Sequence, residues 1–371
     1  MLDVAVIADD LTGAADCGIT FAAAGLSTFV AFAEAAAPEG IEALSVDTDS
    51  RREVEAEAVR RARAAAERVL AEGARALYRK IDSTLRGHVG PEIAETLRAV
   101  GATGGRFPIA LLAPAFPGTG RTTVGGDVLV KGVLLERTEV WRDARMSVSP
   151  RPSELLQQAG LRARVIPLAQ VRAGTDALAR EVERRAATGA DALVFDAETE
   201  DDLAAVARAG ARLTRPVVWS GSAGLARYLP ATTRLSLEPH ALLAGPSDPR
   251  WPATDLARAL ATGNDVVLVL GEEPLGAERG PALAAAAARL VVPHAGGLCG
   301  IVATGGDVAR AVLAALGATG LRLEGEIEPG VPLGVADSAP PLPVVTKAGA
   351  FGDAQTLSRA RAALRPAGRR G

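Results

Sequence analysis

Residues 80–86 read Lys-Ile-Asp-Ser-Thr-Leu-Arg, so two cations (Lys80, Arg86), one carboxylate (Asp82) and two hydroxyls (Ser83, Thr84) fall within seven residues. Cations grip an anion through charge-assisted hydrogen bonds, while carboxylates and hydroxyls exchange hydrogen bonds with a polyol. The combination suits a small polyhydroxylated anion. A second cluster, Asp9, Asp10 and Thr12, follows the apolar run Val4–Ala8 and precedes Gly13. In open parallel sheets ligands bind beyond the carboxyl ends of strands. A helix opening at Gly13 would add free backbone N–H groups that attract an anion. One carboxylate is enough to cap that helix; the other is available as a general base or a magnesium ligand. A third cluster, Asp47 to Arg51, follows the run Ala43–Asp47. Asp49 or Ser50 is a credible cap for the helix beyond. The planar fork of Arg51 suits a carboxylate, and its expected partner is a carboxylate of the substrate.

Short strands must deliver these clusters to one edge. Apolar runs predict strands at Val4–Ala8, Thr28–Phe32, Ala43–Asp47, Leu77–Lys80, Ile109–Ala113, Arg164–Pro167, Ala192–Phe195 and Val217–Trp219. Helical periods fall between them at Gly13–Ala24, Glu53–Ala71, Pro91–Val100, Thr175–Ala187 and Asp201–Arg212. The alternation argues for an α/β fold with a mainly parallel sheet flanked by helices. Residues 122–140, punctuated by Gly125-Gly126 and Lys131-Gly132, predict a hairpin excursion. Periodicity lapses near 230–240, which divides the chain into domains 1–235 and 236–371, each with its own mainly parallel sheet. The second begins at Ala241–Gly245 and continues through strands at Val266–Leu270, Gly300–Ala303, Leu321–Glu326 and Val344–Lys347.

Composition removes several classes. The formal charge is −3, from 41 basic and 44 acidic side chains, so no global field draws the chain to nucleic acid or an anionic membrane. The amino terminus lacks the basic flank of a signal peptide, and no apolar stretch is long enough to span a bilayer. Cys17 and Cys299 are far apart, and the three histidines share no metal-ligand spacing. The expected compartment is the cytoplasm. Ser222, in Gly-Ser-Ala-Gly, lacks the elbow of a hydrolase nucleophile and reads as a helix cap.

Gly305-Gly306, between the strand ending at Ala303 and a helix over Val308–Leu316, lets backbone amides approach a phosphate, and Lys347 leaves a strand into a glycine-containing loop. The order of motifs then resembles one family closely. Ile-Ala-Asp-Asp-Leu-Thr-Gly-Ala, Asp-Ser-Arg, Lys-Ile-Asp-Ser-Thr-Leu-Arg-Gly, Pro-Ala-Phe-Pro-Gly-Thr-Gly-Arg-Thr-Thr-Val-Gly-Gly, Thr-Gly-Gly-Asp and Val-Thr-Lys-Ala-Gly-Ala-Phe-Gly-Asp resemble the four-carbon acid sugar kinases, over nearly the whole chain. The resemblance implies a domain for the sugar acid, a domain for ATP and a reaction, with magnesium on the phosphates, in the cleft between them. It assigns Asp10, Arg51 and Lys80–Thr84 to the acid, with Asp10 or Asp82 orienting or deprotonating the attacking hydroxyl. Ser247, Gly305, Gly306, Asp307, Lys347, Gly349 and Phe351 go to the nucleotide. No protein ligand to the metal is assigned. The stretch between Leu270 and Ile301 is shorter than that family's pattern. A sugar-acid sensor that lost its nucleotide site, or a phosphatase, is the alternative; position 11, where a phosphatase of the aspartyl-phosphate type places its second acid, is Leu. Expected partners are the sugar acid and ATP, with homo-oligomerisation open.

Overall fold

The computed structural model describes residues 2–32, 35–103, 107–143, 149–232, 280–347, 352–353 and 355–364. Eleven strands come before the boundary region: β1 (Val4–Ala8), β2 (Thr28–Phe32), β3 (Ala43–Asp47), β4 (Ala76–Lys80), β5 (Ile109–Ala113), β6 (Arg121–Val124), β7 (Asp127–Val130), β8 (Val133–Leu134), β9 (Ala163–Ile166), β10 (Ala192–Phe195) and β11 (Val217–Gly221). After it, the described residues form β12 (Ile301–Thr304), β13 (Gly320–Glu328), β14 (Val331–Ala336) and β15 (Leu342–Lys347). The order β2-β3-β1-β4-β11-β5-β10-β9 is parallel throughout. Strands β1, β2, β3 and β5 are buried at every position, which is why their sequences read as nearly continuous apolar runs, interrupted only by Thr28, Ser45 and Asp47, rather than as alternations.

Helices cover both faces. Helix α1 (Leu11–Ala23) lies on one, against β1, β3 and β13. Helices α2 (Glu55–Ala71) and α3 (Val89–Ala102) pack together on the other, over Ile7, Leu44 and Val46. Small residues at Gly13, Ala14, Ala15 and Gly18 let α1 sink between neighbours, so that Leu11 through Ile19 are all buried.

The α/β class and the mainly parallel sheet are as expected, but the C-terminal strands do not form a sheet of their own. They extend the first one, in the order β12-β15-β14-β13-β2. Strand β13 runs antiparallel to β2, with Gly320 opposite Ala31 and Arg322 opposite Phe29. β14 is antiparallel to both neighbours, and β12 and β15 are parallel. Strand β14 is a strand that the sequence did not predict, since Pro332 and Gly334 argue against one. The tight turn at Gly330, φ 79°, folds β14 back on β13, and that pairing overrides propensity.

The predicted excursion is present as the antiparallel set β6-β7-β8. Its first turn, Gly125-Gly126, has positive φ at both residues, and their N–H groups donate to Asp196 at 2.7 and 2.9 Å. The predicted strand at Val266–Leu270, the segment Ala241–Gly245 and most of the 230–240 boundary lie outside the described residues. Among the described residues no helix is long and apolar enough to cross a membrane.

The junction between the two portions allows no side chain at Gly320. A β-carbon there would sit 2.2 Å from the Phe29 ring and 2.3 Å from the Val30 carbonyl oxygen. Gly320→Ala is therefore expected to cost about 1–3 kcal/mol in urea denaturation, the usual scale of overpacking. Gly296→Ala, where a β-carbon meets nothing within 4 Å, is the control and should stay within about 0.5 kcal/mol of wild type.

Candidate functional site

The parallel register aligns three strand ends. Ala8 is opposite Asp47 on one side and Lys80 on the other, so the loops that follow emerge side by side. The loop after β3 is pinned to the first strand: Ser50 N and Arg51 N both donate to the Asp9 carbonyl, at 3.0 and 3.1 Å. Thr48 N donates to the Ala8 carbonyl at 2.9 Å. Asp10 caps α1, accepting from Gly13 N at 3.0 Å and from the Thr12 hydroxyl at 2.6 Å.

The expected clusters meet, and the cations are engaged differently than expected. Arg51 donates to both oxygens of Asp9, through Nε and Nη2 at 2.8 Å, and to both oxygens of Asp10, through Nη1 and Nη2 at 2.7 Å. Four of its five N–H bonds are thus taken by the protein's own carboxylates. Burial alone would raise the Asp10 carboxyl, but Arg51, Lys80 and Thr12 together hold it below the ordinary carboxylate range. The same two carboxylates keep the buried Arg51 guanidinium firmly charged.

Asp82 repeats the arrangement one loop away. Arg86 forks onto it at 2.7 and 2.9 Å, Thr84 donates its hydroxyl, and Leu85 takes a positive φ of 61° to close the turn. Burial opposes ionisation here too, yet Arg86 dominates and holds the Asp82 carboxyl well below its usual value. Gly87, at φ 86°, brings that loop against Asp9: a β-carbon would lie 2.8 Å from its carboxylate. Ser83 and Thr84 are buried beside it.

Lys80 differs from both arginines. It is 6% exposed, and its Nζ lies 2.8 Å from where a β-carbon on Gly13 would be, over the start of α1. Among the described residues it makes no hydrogen bond or ion pair, which leaves a buried ammonium directed at the anion-binding end of a helix.

The nucleotide-side residues reach the same place. Strand β12 ends at Thr304, opposite Lys347 of β15, and Gly305 N donates to the Lys347 carbonyl at 2.7 Å. Gly305 has φ 91°, which a residue with a side chain adopts only under strain, and the helix Gly306–Ala315 starts there. A β-carbon on Gly306 would stand 3.4 Å from both the Asp10 carboxylate and the Thr12 hydroxyl. Arg52 pairs with Asp307 at 2.6 Å, and Arg310 reaches back to Asp47 and, at 3.1 Å, to Asp49. Lys347 is buried, which lowers its ammonium pKa against the opposing pull of Glu328. Ser247, Gly349 and Phe351 lie outside the described residues.

Arg52, Arg310 and Asp16 escaped notice in the sequence. The first two look like ordinary surface arginines on helix and loop. Asp16 carried a signal: it sits four residues after Thr12 and three after Gly13, on the same face of α1. No group of three or more His, Cys, Asp or Glu side chains among the described residues could cage a metal ion. Magnesium seldom needs such a cage, because nucleotide phosphates, waters and one or two carboxylates complete its shell. Asp10 and Asp307 are carboxylates beside the Gly305-Gly306 turn.

Arg51 is what makes the adjacent carboxylates of buried Asp9 and half-buried Asp10 tolerable, and Arg51→Met tests it. In wild type the Asp10 and Asp82 pKa values are depressed, so their stabilisation is full above the unfolded value of 3.8 and is lost as pH falls through the lower folded values. In Arg51→Met, Asp9 and Asp10 lose the guanidinium that bonds both, with Lys80 the remaining nearby cation, and the sign of the pH dependence should reverse. The expected cost is about 3–5 kcal/mol at neutral pH, shrinking as the pH is lowered towards 4. Urea titrations at both pH values measure it; a cost below about 1 kcal/mol contradicts the organising role.

Comparison with known proteins agrees with this layout. A family model for a sugar-binding N-terminal domain matches residues 4–229, and one for a nucleotide-binding C-terminal domain matches residues 223–357. The chain is 37% identical to a D-threonate kinase of Cupriavidus necator, with 97% of each chain covered. It is 30% identical to a D-erythronate kinase of Heliobacterium modesticaldum, with 95% of each covered, and 30% identical to a 3-oxo-tetronate kinase of Methylobacterium radiotolerans, with 97% and 98% covered. Among solved structures, a Haemophilus influenzae protein of the DUF1537 family shares the fold at TM-score 0.74 and 21% identity, covering 97% of this chain and all of that one. A Bordetella bronchiseptica DUF1537 protein, crystallised with citrate as a domain-swapped dimer, matches at TM-score 0.53 and 33% identity over 98% of both chains. The chain belongs to the DUF1537 family, that of the four-carbon acid sugar kinases.

Proposed function

We propose that this protein transfers the γ-phosphoryl group of ATP to a terminal hydroxyl of a four-carbon sugar acid of the threonate, erythronate or 3-oxo-tetronate class. One observation carries most of the weight: the phosphate-binding turn at Gly305-Gly306 abuts Asp10 and Thr12 of the acid cluster, 3.4 Å from a β-carbon built on Gly306. Donor and acceptor sites so placed convert an encounter of two ligands into a positioned transfer.

Lys80 is the principal cation for the acid's carboxylate, since its ammonium has no protein partner among the described residues. Arg51 adds its remaining N–H and, more importantly, fixes Asp9 and Asp10 as acceptors for the acid's hydroxyls. Asp10 and Asp82 orient the hydroxyls and stay ionised while doing so, with Thr12, Ser83 and Thr84 as neutral partners and Arg86 as the clamp on Asp82. Gly305, Gly306 and Asp307, with Lys347 and the Ser247, Gly349 and Phe351 segments, hold the nucleotide. Magnesium bound to the ATP phosphates would neutralise their charge, and Asp10 or Asp307 would be the protein carboxylates available to hold it. The citrate held by the Bordetella relative supports a small hydroxy acid as ligand, and its domain-swapped dimer supports a homo-oligomer. Unpaired Cys17 and Cys299 support a reducing cytoplasm.

A coupled ADP-release assay over the isomers of threonate, erythronate and 3-oxo-tetronate tests the activity directly. Lys80→Met should raise KM for the preferred acid by about 10–150-fold, the equivalent of a lost charge-assisted contact of roughly 1.5–3 kcal/mol, while KM for ATP changes little. Unchanged kinetics would move the acid elsewhere. For the nucleotide, millimolar MgATP should raise the thermal midpoint of wild type, since a ligand confined to the native state stabilises it. Gly305→Ala should abolish that shift and leave the shift caused by the acid.

A further inference from the structure

Most buried carboxylates among the described residues are met by an arginine or by backbone N–H groups: Asp9 by Arg51, Asp82 by Arg86, Glu92 by Arg79, Asp47 by Arg310, and Asp196 by the N–H groups of Gly125 and Gly126. The side chains of Lys80 and Asp16 depart from the pattern. Lys80 and Asp16, each 6% exposed, form no hydrogen bond or ion pair among the described residues, and Asp16 Oδ1 is fully buried without a partner. A native interior seldom leaves a carboxylate oxygen unpaired, and such an orphan calls for a water, an ion or a ligand group to complete it. Both belong to one locality. Lys80 Nζ lies over Gly13, and Asp16 follows Gly13 by three residues and Thr12 by four on the same face of α1. Thr12 in turn meets the phosphate-binding turn at Gly306.

We propose that Asp16 is the catalytic base, accepting the proton of the attacking hydroxyl of the sugar acid, with Lys80 as the cation beside it. The hydroxyl oxygen forms the new bond to the γ-phosphorus, and its O–H electrons complete that bond as the proton passes to an Asp16 oxygen. The bond between the γ-phosphorus and the bridging oxygen breaks, and its electrons leave with ADP. Asp16 releases the proton to solvent before the next turnover. Asp10 and Asp82 are poorly suited to this step, because their arginine forks occupy their oxygens and stabilise the ionised form. This role rests on the kinase reading above.

The groups facing Asp16 come from four elements: Lys80 of β4, Arg227 after the helix Ala223–Ala226, Glu326 of β13, and Asp10 at the start of α1. Arg121 of β6 faces it from farther off, while Tyr78 and Cys17, also nearby, are kept neutral by burial. Burial raises the Asp16 carboxyl to about 6, Lys80 and Arg227 oppose that rise, and Glu326 and Asp10 reinforce it. Environments that separate carboxyl pKa values in this way distinguish a base from the acids that only orient.

The test is the pH dependence of kcat in wild type and Asp16→Asn, both saturated with MgATP and acid. Wild-type kcat should fall as pH drops through about 6. Asp16→Asn should lose kcat by about 10²–10³-fold and lose that limb. Its KM for the acid and the thermal shifts with acid and MgATP should stay close to wild type, which a merely unfolded variant would not show. A folded Asp16→Asn with kcat within about threefold of wild type overturns the role. So does a wild-type profile with no acidic limb near 6, a result that stands even where the variant fails to fold. A wild type that forms no ADP with any four-carbon acid ends the kinase reading and this role together; an active wild type with an indifferent Asp16→Asn ends only the role.

Discussion

One guanidinium organises this site. Arg51 lies within 2.8 Å of oxygens from Asp9 and Asp10, and its backbone N–H is bound to the Asp9 carbonyl. Two adjacent carboxylates at low effective dielectric repel strongly, and Arg51 supplies the cation that bonds both. By binding both, Arg51 fixes the end of β1 to the loop after β3. That in turn sets the first turn of α1 and the positions of Thr12, Gly13 and Asp16. Its engagement leaves Lys80, whose side chain makes no hydrogen bond or ion pair among the described residues, as the cation that the proposed function assigns to the acid's carboxylate.

The second portion of the chain is held against this centre by backbone first and charge second. Strand β13 pairs with β2, so the sheet runs continuously from the sugar-acid side to the nucleotide side. Helix α1 joins the same apolar cluster as Ala303, Ala309 and Leu313. Arg310 to Asp47 and Asp49, and Arg52 to Asp307, then set how the helix after Gly305 faces Asp10. These pairs are partly exposed and add modestly to stability, and their larger effect is on alignment. A phosphate at that helix terminus would meet the acid cluster across a gap of one group.

Much of this was legible in the chain. Strands β1, β2, β3, β5 and β10 run over the residues that their apolar patterns predict, because strands buried on both faces leave continuous runs. The clusters at 9–12, 47–51 and 80–86 were identifiable because polar residues directly after such runs must emerge at one edge of a parallel sheet. What could not be read was who pairs with whom. Arg51 suited a substrate carboxylate and two protein carboxylates equally well in sequence, and only the register that puts Asp47 and Lys80 opposite Ala8 decides between them. Strand β14 hid behind Pro332 and Gly334, and the shared sheet hid because a β13–β2 pairing joins residues nearly 300 positions apart. Asp16 hid within an Ala-rich helix, where a lone acid reads as solvated until its burial is known.

A crystal structure with a four-carbon sugar acid and a non-hydrolysable ATP analogue tests the central claim most directly. The acid's carboxylate should lie within hydrogen-bond distance of Lys80 Nζ, the γ-phosphate at the Gly305-Gly306 turn, and Arg51 should still bind Asp9 and Asp10. An acid carboxylate seated on Arg51, with its bonds to Asp9 and Asp10 broken, would contradict the account.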